Sequence, residues 1–79
     1  MAGKLPVETP ALWPQPDGAP VSCIDKLKML RENHEELAQT MQDAFEDAVL
    51  MGVDASFMRE LLTRMVDGLA TPTRTKGPD

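Results

Sequence analysis

The stretch from Ser22 to Met51 constrains the fold most, because it contains neither proline nor glycine. Its apolar side chains recur at alternating steps of four and three, a heptad pattern typical of a helix that packs along one seam. The sequence predicts a long helix over residues 22–51, about 43 Å in length, with Ser22 as its N-cap. The seam positions are Cys23, Leu27, Leu30, His34, Leu37, Met41, Ala44, Ala48 and Met51.

A short turn and a second helix follow this long helix. Gly52 suits the left-handed residue that commonly ends a helix, and Asp54 suits the N-cap of the next one. A second apolar stripe predicts a short helix over residues 55–69, ended by Gly68. Because the turn is short, the two helices are expected to pack as an antiparallel hairpin over residues 22–70. The predicted fold class is all-α.

The two ends of the chain are predicted to lie outside this hairpin. Residues 1–21 contain five of the seven prolines, which favours an extended, flexible arm in which Pro16-Asp17-Gly18 forms a turn. Trp13, the single tryptophan, has two interpretations. It either folds back to cover the helices or inserts into a pocket of another protein. Residues 71–79 are predicted to be a disordered tail.

Length and charge exclude several classes of protein. A chain of 79 residues buries only a thin core, and its single cysteine cannot form an internal disulfide. The net charge of −5 makes nucleic-acid and anionic-membrane binding unfavourable. No apolar run has the length of a signal-peptide core or a membrane span. We therefore expect a cytoplasmic protein that is not an enzyme and has no metal and no cofactor.

The unequal lengths of the helices make a further prediction. A second helix of about 22 Å covers only half of the first, so its amino-terminal half is left without a partner from the hairpin. Three coverings remain open: the proline-rich arm, another protein, or a second copy that completes a four-helix bundle as a homodimer. The side chains expected to be uncovered are Leu27, Leu30 and Leu37.

Polar residues of the long helix suggest two further features. The acidic side chains, among them Glu32, Glu36, Asp43 and Asp47, lie opposite the seam. They form either a solvated face or a ridge that docks on a basic protein surface. His34 on the seam is either a pH-responsive or register-setting group or a histidine bonded to a nearby carboxylate such as Glu35.

Residues Ile24–Asp54 resemble the first helix and turn of the GapR family of small bacterial nucleoid-associated proteins. The similarity lies in the apolar spacing, in the pair Asp47-Ala48, and in the closing Gly52-Val53-Asp54. The resemblance implies a hairpin of one long and one short helix that oligomerises. Members of that family are rich in lysine and clamp DNA, whereas the corresponding face here is acidic, so no functional residue is carried over.

The sequence as a whole predicts a small accessory protein that binds and regulates or stabilises a protein partner or complex. The alternative is an acidic mimic of nucleic acid that inhibits a DNA- or RNA-binding protein. The residues expected to bind protein are Trp13, Leu27, Leu30, His34 and Leu37, together with Glu32, Glu36, Asp43 and Asp47.

Overall fold

The computed structural model describes residues 8–72, which contain two α-helices. Helix α1 spans Ile24–Leu50 and helix α2 spans Ala55–Asp67, and the two pack against each other as a hairpin. Over residues 8–72 the only β-structure is one isolated antiparallel bridge. The predicted all-α hairpin is confirmed. Most of the predicted disordered tail, residues 73–79, lies outside the described residues, as do residues 1–7 of the arm.

Helix α1 begins two residues later than the sequence predicts. Cys23, not Ser22, is the N-cap residue, and its backbone is extended with φ −69° and ψ 123°. Its side chain makes no cap hydrogen bond, and Leu27 donates its backbone N–H to the Cys23 carbonyl at 2.9 Å. The prediction of Ser22 as the cap was therefore wrong. An extended Cys23 places the serine outside the helix, where its hydroxyl is not in the N-cap position that reaches the first-turn amides.

The turn between the helices follows the prediction closely. Gly52 has φ +105° and donates its N–H to the carbonyl of Val49 at 3.0 Å. The N–H of Val53 reaches the carbonyl of Ala48 at 2.9 Å, and these two bonds together are the Schellman pattern of helix termination. Asp54 then caps α2 by accepting the N–H of Phe57 on its carboxylate at 2.8 Å.

Helix α2 is shorter than the predicted span of residues 55–69. It ends at Asp67, and Gly68 is its C-cap with φ −85°, so this glycine is in the right-handed region and not the left-handed one. Its N–H still bonds back to Arg64 at 3.0 Å, and Leu69 bonds to Val66 at 3.1 Å, so the last turn tightens before the chain leaves the helix.

The face that α1 turns inward differs from the predicted seam in its second half. Ala38 is buried and Phe45 is half-buried, whereas the seam residues Leu37 and Ala44 are exposed. Across the hairpin, the Arg59 guanidinium lies over the Phe45 ring, 4.6 Å from its centroid. The heptad pattern therefore predicted the inward-facing side chains wrongly at Leu37 and Ala44. A straight helix has 3.6 residues per turn, so the inward face shifts relative to a 3.5-residue repeat.

Residues 13–21 of the arm form a reverse loop. Gly18 donates its N–H to the Gln15 carbonyl at 2.8 Å, which closes the predicted turn, and Val21 donates to the Trp13 carbonyl at 2.8 Å. Asp17 accepts the Ala19 N–H on its side chain at 2.9 Å. All three bonds use the backbone amides of non-proline residues. The prolines therefore interrupt regular structure without preventing a compact reverse loop.

Gly52→Ala is expected to destabilise the hairpin by about 1 kcal/mol, because a Cβ is strained in the left-handed region. The measurement is the urea midpoint at one fixed protein concentration. Gly68→Ala is the matched control. Its backbone is right-handed, and the new Cβ would lie 3.5 Å from the Arg64 carbonyl oxygen, an ordinary contact. Equal effects from both substitutions would contradict the assigned role of Gly52.

Candidate protein-interaction surfaces

The first surface is the site where the arm meets α1. The Trp13 and His34 rings lie edge to face, with centroids 6.3 Å apart and planes at 74°. The Thr9 hydroxyl hydrogen-bonds Nδ1 of His34 at 3.2 Å. Nδ1 of His34 thus has a hydroxyl of the arm as its partner, and not the nearby carboxylate that one of the two interpretations of this histidine proposed. Of the two interpretations of Trp13, this geometry is the one in which the indole covers the helix.

Two leucine side chains that precede His34 on α1 are partly buried. Leu27 and Leu30 lie on the same face as His34, and both are half-buried. Helix α2, about 20 Å long, starts from the opposite end of α1 and does not extend to them. The arm contacts α1 on this face at His34, through Thr9 and Trp13. The sequence predicts only that the second helix leaves these leucines uncovered, with the arm as one of three possible coverings. Leu37, the third leucine of that set, is 60% exposed.

The second surface consists of exposed apolar side chains. Ala38 is the only buried residue in the part of the chain that the structure describes. Large hydrophobic side chains are exposed on both helices and in the turn. On and after α2 these are Phe57, Met65, Val66 and Leu69, and the last three continue the stripe that the sequence assigned to the hairpin interior. The stripe itself was visible in the sequence, but its incomplete covering was not.

The third surface is acidic. Glu32, Glu36, Asp43 and Asp47 are all exposed and lie along one side of α1. Neighbouring glutamines hold two further contacts on the helix surface: Gln39 donates to the Asp43 carboxylate at 2.9 Å, and Gln42 donates to Glu46 at 2.8 Å. Such pairs four residues apart support the helix. The acids are therefore open to solvent and to any partner.

Cys23 is exposed at the amino end of α1. The backbone N–H groups of Lys26 and Asp25 lower the pKa of its thiol, and the positive charge of Lys26 adds to this effect. Desolvation acts in the opposite direction and is outweighed. The neutral thiol makes no cap hydrogen bond, so these amides act by stabilising the thiolate.

Residues 8–72 contain neither a cluster of metal ligands nor a membrane-spanning helix. Over residues 8–72, no three histidine, cysteine or acidic side chains come together as metal ligands. No helix in this range is both long and apolar enough to cross a membrane.

Comparison with known proteins finds no match to this chain. The chain matches no protein-family model, and neither the curated proteins nor the solved structures contain a significant match.

Thr9→Val is expected to weaken the docking of the arm by about 1 kcal/mol, because it removes the hydroxyl that bonds His34. Trp13 is the single tryptophan, so its fluorescence reports the arm directly. The variant should show red-shifted emission and stronger quenching by acrylamide. Thr71→Val is the control, since Thr71 is exposed and outside both helices. Unchanged quenching in Thr9→Val would contradict the contact.

Alkylation of Cys23 by iodoacetamide should reach half its maximal rate at a lower pH in the native protein than in urea. The lowered pKa means that the thiolate favours folding. This stabilisation is complete above the pKa of the unfolded thiol and is lost as the pH falls through the folded value. Lys26→Gln should move the native midpoint upward only slightly, because the charge is the smallest contribution. A native midpoint at or above that in urea would rule this out.

Proposed function

We propose that this protein is a small non-enzymatic interaction protein, which binds and regulates or stabilises a protein partner or complex through the faces of its helices. The observation that supports the proposal is that few side chains are buried while many large hydrophobic ones are exposed. One alanine is buried in residues 8–72, whereas large hydrophobic side chains are exposed on both helices, among them Leu37 and Leu50 on α1 and Phe57 and Met65 on α2. Exposed apolar surface of this kind marks sites of protein association.

A second copy is part of this proposal. The hairpin is only two helices thick, and helices with open apolar faces commonly complete a bundle by pairing about a two-fold axis. A homodimer would cover part of the apolar surface and leave the acidic side of α1 accessible. We place the protein in the cytoplasm, where an exposed thiol with a lowered pKa stays reduced.

The arm has a specific place in this proposal. The contact between Trp13 and His34 makes the arm a cover for the amino-terminal half of α1. A partner that binds this half would displace the arm and gain the half-buried faces of Leu27 and Leu30. In that event Trp13 would be free to contact the partner, so the two interpretations of this tryptophan become two states of one arm.

A second candidate function is favoured by the acidic side of α1. Glu32, Glu36, Asp43 and Asp47 are exposed along one line of the helix, as the acids of a nucleic-acid mimic would be. Such a mimic would inhibit a DNA- or RNA-binding protein by occupying its basic surface. This binding would depend strongly on salt, whereas binding through apolar faces would not.

Affinity capture at two salt concentrations separates these functions. The tagged protein is incubated with a cell extract at 0.05 M and 0.5 M NaCl, and retained proteins are identified by mass spectrometry. The accessory function predicts a partner retained at both concentrations. Its capture should increase in Thr9→Val, in which the arm covers α1 less tightly.

The triple variant Glu32→Gln, Glu36→Gln, Asp43→Asn is the control for charge. Each change keeps the size of the side chain and removes its charge on the exposed side of α1. Under the accessory function it should reduce capture by less than about threefold, because these exposed charges lie outside the apolar contact and contribute little to it. Complete loss of the partner in this variant, with loss at high salt, would favour the mimic.

A further inference from the structure

One exposed line of side chains on α1 divides the apolar surface from the acidic surface. Leu37, Ala44 and Met51 are exposed and follow one another at steps of seven, which is close to two helical turns. Leu30, half-buried, continues the line toward the amino end. The neighbouring exposed side chains include two that are polar but uncharged, and one charge stands near each end. We call this line and its flank the α1 strip: Leu30, Leu37, Ala44 and Met51, with Lys26, Asn33, Thr40 and Asp47.

The α1 strip is arranged symmetrically about Leu37. Leu30 and Ala44 lie seven residues before and after it, and Cys23 and Met51 lie fourteen residues before and after it. A copy of the helix laid antiparallel with its Leu37 on this one would therefore bring leucine onto leucine at the centre. It would place a small alanine opposite a leucine on each side, and this alternation of size lets the helices approach closely.

The charges at the ends of the α1 strip select the antiparallel arrangement. Lys26 lies eleven residues before Leu37 and Asp47 lies ten residues after it, so each lysine would meet the aspartate of the other copy within one residue. In a parallel pair, lysine would face lysine and aspartate would face aspartate. The antiparallel order also opposes the two helix dipoles, and it aligns the basic amino end of one α1 with the acidic carboxyl half of the other.

We propose that the α1 strip is the contact surface of an antiparallel homodimer with Leu37 on its two-fold axis. This inference rests on the self-association included in the proposed function, and it adds the surface, the direction and the register. The strip shares Leu30 with the face that the arm meets and Asp47 with the acidic side of α1. Glu32, Glu36 and Asp43 lie farther round the helix, and these three acids stay available to a different partner in the dimer.

Cross-linking through Cys23 tests the direction and the register together. Positions 23 and 51 are 28 residues apart on one helix, about 42 Å, so cysteines at both positions cannot be linked within one chain. In the proposed dimer, each Cys23 lies beside residue 51 of the other copy. A short bifunctional maleimide should therefore convert most of the Met51→Cys protein into a covalent dimer.

Two matched proteins control this experiment. The unaltered chain carries Cys23 alone, and the double variant Cys23→Ser, Met51→Cys carries only the new cysteine. In the antiparallel dimer both lie about 42 Å from their copies, so neither protein should be cross-linked. A covalent dimer of the unaltered chain would indicate a parallel pair and overturn the proposal.

A charge exchange tests the flanking pair by sedimentation equilibrium. Lys26→Asp or Asp47→Lys alone should raise the dimer dissociation constant about tenfold, because each places two like-charged pairs across the axis. The double variant Lys26→Asp, Asp47→Lys restores opposite charges and should return to within about threefold of the unaltered protein. Glu35→Lys, on the opposite side of α1 from Leu37, is the control and should leave the constant within the same range.

The outcomes separate this inference from the proposed function. A dimer that shows neither the cross-link nor the rescue would overturn the α1 strip as its interface, while self-association would stand. A monomer at high concentration would overturn both the strip and the homodimer, whereas the salt-dependence of captured partners would still test the accessory function. Capture of a different protein that is lost in Leu37→Asp would likewise count against a second copy on the strip.

Discussion

The reversal of the chain at Gly52 is the constraint on which the rest of the structure depends. The left-handed glycine ends α1 through two backbone bonds, and Asp54 starts α2 two residues later. This close spacing forces α2 to run back along α1, where Arg59 comes over the Phe45 ring. Because α2 has 13 residues and α1 has 27, the reversal also determines how much of α1 the hairpin leaves open.

The arm and α2 cover α1 from opposite ends, and neither builds a deep core. Ala38, the one buried residue in residues 8–72, lies four residues after the His34 ring that meets the arm and three before Met41, which borders a groove with Leu62 of α2. A small side chain at this position allows both the arm and α2 to approach α1 closely. The larger hydrophobic residues remain at the edges of the contact, where they stay partly in water.

Much of the fold follows from the sequence because its signals are local. The absence of proline and glycine over α1, the glycine at the turn and the aspartate cap each act within a few residues, and all three were predicted from the sequence. The N-cap was missed because Ser22 and Cys23 are adjacent, and local pattern does not decide between neighbours. The exposure of Leu37 was missed because a seven-residue repeat drifts on a straight helix.

The candidate surfaces were harder to predict than the fold. The exposure of the acids followed from their position opposite the seam, and the structure agrees. The contact of Thr9 and Trp13 with His34 joins residues more than twenty positions apart. No periodic signal in the arm specifies such a pairing, since it depends on how a reverse loop rich in proline returns to the helix.

The reverse loop of the arm and the helical hairpin differ in how readily they open. Each helix is held by its own ladder of backbone hydrogen bonds, and the two pack against each other with a cation–π contact between Arg59 and Phe45. The described part of the arm, residues 8–21, contacts the His34 side chain through one hydrogen bond from Thr9 and one edge-to-face ring pair with Trp13. Units held by so few contacts open at a much lower free energy than the elements they rest on. Amide hydrogen exchange would therefore occur at two different rates in this chain. The amides of residues 13–21 would exchange through local openings that leave the hairpin intact.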